Sequence, residues 1–301
     1  MADTYPSQSS NIADQRDERA SIVLSVDVED YFMSPETVPV ERWGEYPSRI
    51  RDAMTATLDL LAQHQARATF FFLGWIAERY PELVAETSQQ GHEIGTHLFD
   101  HRFVHEQSPD EFASGLERSL AALYNAGSPA VVSHRAPGFS LSRDRTWQFD
   151  VLADAGIRYD SSINPHATYL YGEKGAPRFP YRIGRILEWP PAAVQLAGRT
   201  LPVGGGGTLR ILPGWYCRWA RHRYLAEGWP PMVYIHPWEM DPSPPHIQLP
   251  LRQRRIHYFG LRGMKRKMMR LLQEHRTLTL AEAASLLKET GDNLAPTIDL
   301  S

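Results

Sequence analysis

The stretch SIVLSVDVED, residues Ser21–Asp30, decides the fold class of this 301-residue chain. Its first six residues are apolar or small and show no polar alternation, which is typical of a strand buried on both faces. Three carboxylates, Asp27, Glu29 and Asp30, follow at once. Because buried charges are unfavourable unless they are paired or bind a metal ion, the stretch predicts either a functional site or a solvated corner at the carboxyl end of a buried strand.

Strand-like and helical runs alternate along the chain. A helix with one apolar face is predicted at residues 50–61, and a second at residues 75–90 should break or kink at Pro81. Capping-box patterns open helices at Ser108–Glu111 and Thr279–Glu282, and Ser142 is expected to cap another. The strand-like runs number about eight, at residues 21–26, 68–73, 92–95, 130–132, 157–159, 186–189, 232–235 and 277–280. This alternation predicts an α/β fold with a parallel sheet and outer helices, and the count suits a (β/α) barrel.

Polar residues lie just past the carboxyl ends of five of these runs. In a barrel those ends gather on one face, where active sites of this architecture lie. Convergence of so many polar strand ends favours an active site over a purely structural explanation. The residues are Asp27, Glu29 and Asp30, then His97 and His101, then Arg135, Asp160 and His236.

His97 and His101 have a spacing that lets both imidazoles share a metal ion on a helical turn or tight loop. Two histidines and one carboxylate bind a divalent ion and leave positions open for water and substrate. A second carboxylate can then take the proton of the activated water, and a separate histidine can protonate the leaving group. The set therefore predicts metal-assisted hydrolysis, with Arg135 pairing with the free carboxylate.

Composition excludes several other classes of protein. The net charge of −3 argues against a nucleic-acid binder, and no apolar run approaches the length of about 20 residues that a membrane span needs. The first twenty residues are polar and lack the apolar core of a secretory signal, so we expect a cytoplasmic protein. A basic helix at Leu261–His275 is interpreted as a solvated face.

At these motifs the chain resembles the NodB-homology polysaccharide deacetylases, carbohydrate esterase family four, from about residue 21 to residue 287. The resemblance implies a distorted, TIM-like (β/α) barrel of about seven to eight parallel strands. It also implies a divalent metal cofactor, most simply zinc, and removal of N- or O-acetyl groups from an acetylated saccharide. By the same resemblance Asp27 is the general base, His97 and His101 bind the metal, and Arg135 buttresses the base.

The resemblance extends to the residues around the leaving group. It makes His236 the general acid, Asp160 the acid that orients this histidine, and Ile235 a contact of the acetyl methyl. Gly138 can supply a backbone N–H to the oxyanion. Phe139 and Trp238 complete the expected substrate contacts.

The carboxylate that completes the metal site is left open between two residues. Val28 stands where the family usually has its second aspartate, so Glu29 and Asp30 both compete for the position. Glu29 is preferred because residues two apart in a strand share a face, which places it beside Asp27.

Motif variants also resemble a deacetylase-like subgroup associated with exopolysaccharide and exosortase (PEP-CTERM) gene clusters. They read Asp-Val-Glu-Asp-Tyr-Phe, Arg-Ala-Pro-x-Phe, Tyr-Asp-Ser-Ser and His-Pro-Trp-Glu. The implied substrate is a bacterial surface glycan or its lipid- or nucleotide-linked precursor. The expected organisation is a disordered tail over residues 1–20, a single domain over 21–290 with a subgroup extension at about 195–275, and a loose tail over 291–301.

Two other functions remain open at this point. One is an allantoinase-like hydrolase of cyclic amides on the same scaffold, although such relatives tend to lose the metal ligands. The other is a non-catalytic glycan-binding protein with a groove lined by Trp189, Trp215, Trp229 and Trp238.

Overall fold

The computed structural model describes residues 19–33, 38–167, 172–289 and Thr297. Most residues of the two expected tails lie outside these ranges, so the tails and the domain limits stay predictions. Within the described ranges, no helix combines the length and the apolar character that a membrane span requires.

Eleven strands are present in the described part of the chain. Nine of them form one curled sheet in the order β10-β1-β2-β3-β4-β5-β7-β6, with β11 also paired to β1, while β8 and β9 form a separate hairpin. They are β1 (Ser21–Val28), β2 (Thr69–Phe72), β3 (Glu93–Thr96), β4 (Ser133–His134), β5 (Tyr159–Asp160), β6 (Tyr181–Ile183), β7 (Ile186–Glu188), β8 (Ala193–Leu196), β9 (Arg199–Pro202), β10 (Met232–Ile235) and β11 (Arg276–Leu278).

The large sheet is parallel except for the pairing of β6 with β7. A bridge between Pro191 and Met232 brings the chain after β7 next to β10, and the Ala192 N–H donates to the Met232 carbonyl at 3.1 Å. The two ends of the curl therefore meet, and the predicted parallel α/β barrel is confirmed.

Ten helices cover the outer face of the sheet and one end of the barrel in the described ranges. The break at Pro81 and both capping boxes, Ser108 with Glu111 and Thr279 with Glu282, are confirmed. The helices are α1 (Ile50–Gln63), α2 (Gly74–Arg79), α3 (Pro81–Gln89), α4 (Pro109–Asn125), α5 (Trp147–Asp154), α6 (Gly206–Ile211), α7 (Gly214–Leu225), α8 (Leu251–Tyr258), α9 (Leu261–Glu274) and α10 (Leu280–Glu289).

Some local predictions were wrong. Ser142 does not cap a helix: its N–H donates to Gln148 Oε1 at 3.1 Å, and α5 begins only at Trp147. The strand expected at residues 130–132 begins three residues later, at Ser133. The β8–β9 hairpin and α8 were not predicted: each hairpin strand has only four residues, and the sequence of α8 is polar and lacks a clear period.

Strand β1 shows how the sheet positions polar groups. Its residues Ile22, Leu24, Val26 and Val28 pack between the sheet and the outer helices. The alternate residues Ser25 and Asp27 face the barrel interior, where both accept hydrogen bonds from Arg135. The pleat thus separates an apolar outer row from a polar inner row that leads to the carboxyl end.

Candidate active site

Glu29, His97 and His101 form a compact cluster at the carboxyl ends of β1 and β3. The Glu29 Oε1 atom lies 3.1 Å from His97 Nε2 and 3.0 Å from His101 Nε2. The His97 Nδ1–H donates to the Arg135 carbonyl at 2.6 Å, so the Nε2 lone pair of His97 faces the cluster. One ligand atom from each residue lies within 4.8 Å of the others. This donor set fits a divalent cation, with the ligand types and open positions of a catalytic zinc site.

The two histidines are brought together by a loop and not by a helical turn. Residues 97–103 carry no regular structure, and Leu98 and His101 both adopt left-handed backbone conformations, with φ of 61° and 57°. Such conformations cost roughly 1 kcal/mol or more for a residue with a side chain. The surrounding fold therefore holds a strained loop that points both imidazoles at Glu29.

The ionisation of Glu29 follows from its neighbours. Burial alone would raise the pKa of this carboxyl, but His101, His236 and His97 together hold the pKa well below its ordinary value. The carboxylate form is the one that a cation needs.

Asp30, the competing carboxylate, turns away from the histidines. Its Oδ2 accepts hydrogen bonds from Ser48 Oγ at 2.7 Å and from the Arg49 N–H at 2.9 Å, just before α1 begins. Its Oδ1 accepts from the Tyr31 N–H at 2.9 Å. Asp30 therefore supports the start of α1, and of the two candidates only Glu29 lies within reach of His97 and His101.

Asp27 and Arg135 form a buried ion pair beside this cluster, as the sequence predicted. Arg135 Nη1 donates to Asp27 Oδ1 and to Ser25 Oγ, both at 2.7 Å. Its Nε and Nη2 donate to the carbonyl and the hydroxyl of Ser161 at 3.0 and 2.8 Å. Four acceptors surround this one guanidinium, so the orientation of Asp27 is fixed.

His236 follows β10 and pairs with Glu239. The His236 backbone N–H and the ring Nδ1–H both donate to Glu239 Oε2, at 3.0 and 3.2 Å. The other oxygen of Glu239 accepts from Arg210, whose Nη1 also donates to the Phe259 carbonyl at 2.7 Å. Glu239 and Arg210 are the site residues that sequence reasoning missed, although His236 and Glu239 have the three-residue spacing of a capping box.

The pKa values of this second pair move in opposite directions. Burial would lower the pKa of His236, but the Glu29 and Glu239 carboxylates outweigh it and raise the pKa to about 9. Burial would raise the pKa of Glu239, but His236 and Arg210 lower it to about 2. At neutral pH the pair is an imidazolium beside a carboxylate.

Asp160 does not orient His236, so that prediction was wrong. Asp160 Oδ1 accepts from His134 Nδ1 at 2.6 Å and from Ser162 Oγ at 2.7 Å. The register aligns Asp160 with His134, Thr96 and, through β2, Val28, whose row faces the outer helices. The pleat therefore directs Asp160 away from the barrel interior.

Ile235 is a second correction, for the same reason. It is paired in register with Val26, is 1% exposed, and packs between the sheet and the helices. Its neighbours Tyr234 and His236 line the cleft instead. The cleft holds Gly138, Phe139 and Trp238, as predicted, and its further walls are Phe103, Ala136, Gly207, Leu249, Gln253, Ile256 and His257.

Gly138 occupies a position that only glycine fits. Its φ is 58°, and a Cβ there would lie 2.4 Å from Phe103 Cε1. The turn at Pro137–Phe139 therefore brings backbone, and not a side chain, to the cleft beside Phe103.

Two family models match adjoining parts of this chain. Residues 43–159 match the family described as polysaccharide deacetylase, and residues 161–285 match a domain of unknown function, DUF3473. A chitooligosaccharide deacetylase of Azorhizobium caulinodans is 30% identical over 147 residues, 48% of this chain and 64% of that protein. A peptidoglycan-N-acetylglucosamine deacetylase of Bacillus cereus is 42% identical over 91 residues, 30% of this chain and 33% of that protein. The matches thus span less than two thirds of these relatives.

A solved structure supports the fold over nearly the whole chain. A Mycobacterium smegmatis crystal structure assigned to the polysaccharide deacetylases aligns with a TM-score of 0.62 at 16% identity. The alignment covers 95% of this chain and 96% of that one. At this identity the likeness concerns the barrel alone.

Proposed function

We propose that this chain, which carries a polysaccharide deacetylase domain at residues 43–159, is a metal-dependent hydrolase that removes an acetyl group from an acetylated amino sugar. One observation carries the proposal. The same cleft is bordered by the carboxylates of Asp27 and Glu29, by the imidazoles of His97 and His101, and by the separate imidazole of His236. A binding protein has no need of such an acid–base pair beside a cation site.

Glu29, His97 and His101 are the residues that would hold the metal, and zinc suits their ligand types. When bound, a divalent ion lowers the pKa of water and polarises the acetyl carbonyl. The residues around it then have separate tasks, which follow from their hydrogen bonds.

Asp27 is the proposed general base. Arg135 occupies its Oδ1, which leaves Oδ2 to take the proton of the attacking water. The ion pair with Arg135 fixes the orientation in which Asp27 would accept that proton.

His236 is the proposed general acid. Its Nδ1–H is held by Glu239, so Nε2 is the atom that would give a proton to the departing amine or alcohol. The backbone N–H of Gly138 is the proposed donor to the oxyanion, and Phe103, Phe139 and Trp238 offer aromatic surfaces on which a sugar ring can pack.

The names of the relatives support an acetylated amino sugar as the substrate class. Within that class we propose a bacterial exopolysaccharide or its precursor, as the motif variants suggest. The extension at about residues 195–275 lies within the DUF3473 match at residues 161–285. We propose that it adapts the cleft to this substrate, because Gly207, Leu249 and Gln253 from it line the cleft.

The test is metal analysis and acetate release with purified protein. His97→Ala should lose bound metal and acetate release from acetylated chitooligosaccharides together. His222→Ala, an exposed histidine on α7, is the matched control and should keep both. Full metal content and activity in His97→Ala would exclude the proposal, and allantoin turnover that survives a chelator would favour the cyclic-amide alternative.

A further inference from the structure

Large apolar side chains are exposed mainly in one part of this molecule. Among the described residues nine are exposed, and seven of these lie between residues 211 and 269. Leu251 is 79% exposed, Trp215 73% and Phe259 59%. A concentration of this kind marks an interaction surface more often than chance exposure does. The seven residues are Ile211, Trp215, Trp219, Leu251, Ile256, Phe259 and Met269.

The same part of the chain has a strong excess of positive charge. Residues 249–273 contain eight lysines and arginines and no aspartate or glutamate, whereas the whole chain has a net charge of −3. The rest of the chain therefore carries −11, since −3 minus 8 is −11. On α9 the outward face presents Arg262, Lys265, Arg266 and Arg270, while the opposite face is apolar and buried.

Hydrogen bonds hold these helices together as one unit. Arg210 of α6 donates to the Ile256 and Phe259 carbonyls at the end of α8. Lys267 of α9 donates to the Leu209 and Leu212 carbonyls at the end of α6, at 2.6 and 2.9 Å. Helix α7 is tied to the end of α9 by ion pairs from Arg218 and Arg221 to Glu274. The exposed apolar and cationic side chains thus lie on helices that are bonded to one another.

We propose that this unit, α6–α9, docks on the surface of a lipid bilayer that contains anionic lipids. The term basic–apolar surface denotes the seven exposed apolar residues together with Arg262, Lys265, Arg266 and Arg270. Aromatic and aliphatic side chains insert at the headgroup boundary, and flanking cations are attracted to anionic lipid. An acidic polysaccharide or a nucleic acid would use the cations and could stack on Trp215 or Phe259, but it has no apolar interior that would take up Ile211, Leu251 and Ile256.

The docking surface adjoins the cleft. Ile256 is 43% exposed on the surface of α8 and also lines the cleft, together with Leu249 and Gln253. Docking through α8 would therefore bring the mouth of the cleft close to the lipid headgroups. This last consequence rests on the proposed function: it selects a saccharide attached to a membrane lipid as the substrate.

The experiment is sedimentation of the full chain with vesicles. The chain should bind vesicles of equal parts phosphatidylglycerol and phosphatidylcholine, bind pure phosphatidylcholine far more weakly, and lose affinity as salt is raised. Reversing the charge at Arg262, Lys265, Arg266 and Arg270 together should weaken binding by at least about tenfold. Trp215→Ser with Phe259→Ser should weaken it by about tenfold and leave a residual, salt-sensitive binding.

The matched control is Tyr124→Ser with Leu196→Ser, which removes the two remaining exposed apolar side chains, at 77% and 47% exposure. This variant should bind as the unaltered chain does. Absence of vesicle binding would overturn the proposal, and so would tight binding to heparin or DNA that the Trp215 and Phe259 substitutions leave unchanged. Acetate release from a water-soluble oligosaccharide should persist in every docking variant, which separates failure of docking from failure of the proposed function.

Discussion

Apart from the Glu29 cluster, two histidine–carboxylate pairs lie in the described part of this barrel, and they differ in the face of the sheet on which they lie. His236 with Glu239 lines the cleft, and the His236 side chain is 18% exposed. His134 with Asp160 lies on the outer side of the sheet, and both side chains are 0% exposed. The same chemical pair is thus available to substrate in one place and sealed from it in the other.

The sealed pair belongs to a longer polar row. Asp160 is aligned with Glu188, and Glu188 with Tyr181, across three neighbouring strands. Burial and the nearby Asp160 raise the pKa of Glu188 well above its ordinary value, while His134 holds the pKa of Asp160 low against the effect of burial. Asp160 also accepts from Ser162, which accepts in turn from the Ala136 N–H. This row therefore supports the loop that carries Arg135.

The largest expected difference between the two pairs appears when each histidine is replaced in turn. His236→Gln should lower kcat by about a hundredfold to ten-thousandfold, because the proposed general acid is lost. His134→Gln should instead lower the stability, by about 1–3 kcal/mol, because it leaves the buried Asp160 with one hydrogen bond fewer. Steady-state kinetics and urea unfolding of both variants provide the test. Equal losses of kcat would contradict a catalytic role for His236 and a structural role for His134.

Replacing the carboxylates of the two pairs, Glu239 and Asp160, should give the next largest difference in activity. Glu239→Gln should lower kcat and move the alkaline limb of its pH profile to lower pH, since one of the two carboxylates, Glu29 and Glu239, that raise the pKa of His236 is gone. Asp160→Asn should leave the position of that limb unchanged. A limb that moves with Asp160→Asn and stays with Glu239→Gln would restore the original assignment of Asp160.

A third test concerns the loop that follows Arg135. Gly138→Ala forces a Cβ against the Phe103 ring at a φ of 58°. We expect a loss of about 1–2 kcal/mol in stability and a raised KM for the acetylated substrate. Gly127→Ala, at a positive φ but in open space, is the control for backbone strain alone and should leave KM unchanged.

Histidines buried without a carboxylate partner complete the comparison. Burial lowers the pKa of His92 and of His275 to about 4. The unfolded chain therefore binds more protons than the folded chain between about pH 6.5 and pH 4. Stability should be full above that window and fall through it, by up to about 2 kcal/mol per histidine at pH 5. Thermal unfolding from pH 7 to pH 5 measures this loss, and His92→Gln should reduce it.

Sequence alone predicted the barrel and the cluster of Glu29, His97 and His101, because those depend on local patterns. Each local pattern predicts the structure of the residues that form it. This holds for the apolar run before Asp27, for the two capping boxes and for the His97–His101 spacing. The preference for Glu29 over Asp30 also followed from the two-residue period of a strand. These inferences needed no knowledge of which strands are neighbours.

The errors came where strand register decides the outcome. Asp160 and Ile235 both come at strand ends, but each lies in a row that faces the helices. A change of one residue in strand register would have directed both side chains into the barrel. The local sequence does not distinguish an inward-facing from an outward-facing register. Arg210 and Glu239 escaped notice because their contact joins segments 29 residues apart.

The proposed catalytic set is divided among three segments of the chain. Asp27 and Glu29 come before residue 43, His97, His101 and Arg135 lie within residues 43–159, and His236 and Glu239 lie within residues 161–285. A fragment limited to residues 43–159 would keep two proposed metal ligands, His97 and His101, but would lack the proposed base, Asp27. A fragment limited to residues 161–285 would keep the proposed acid, His236, but would lack the proposed metal ligands. A chimera that takes only one of the two matched regions from a homologue should therefore lose activity. A chimera that takes both regions from the same homologue should keep it, so we expect the two regions to be inherited together.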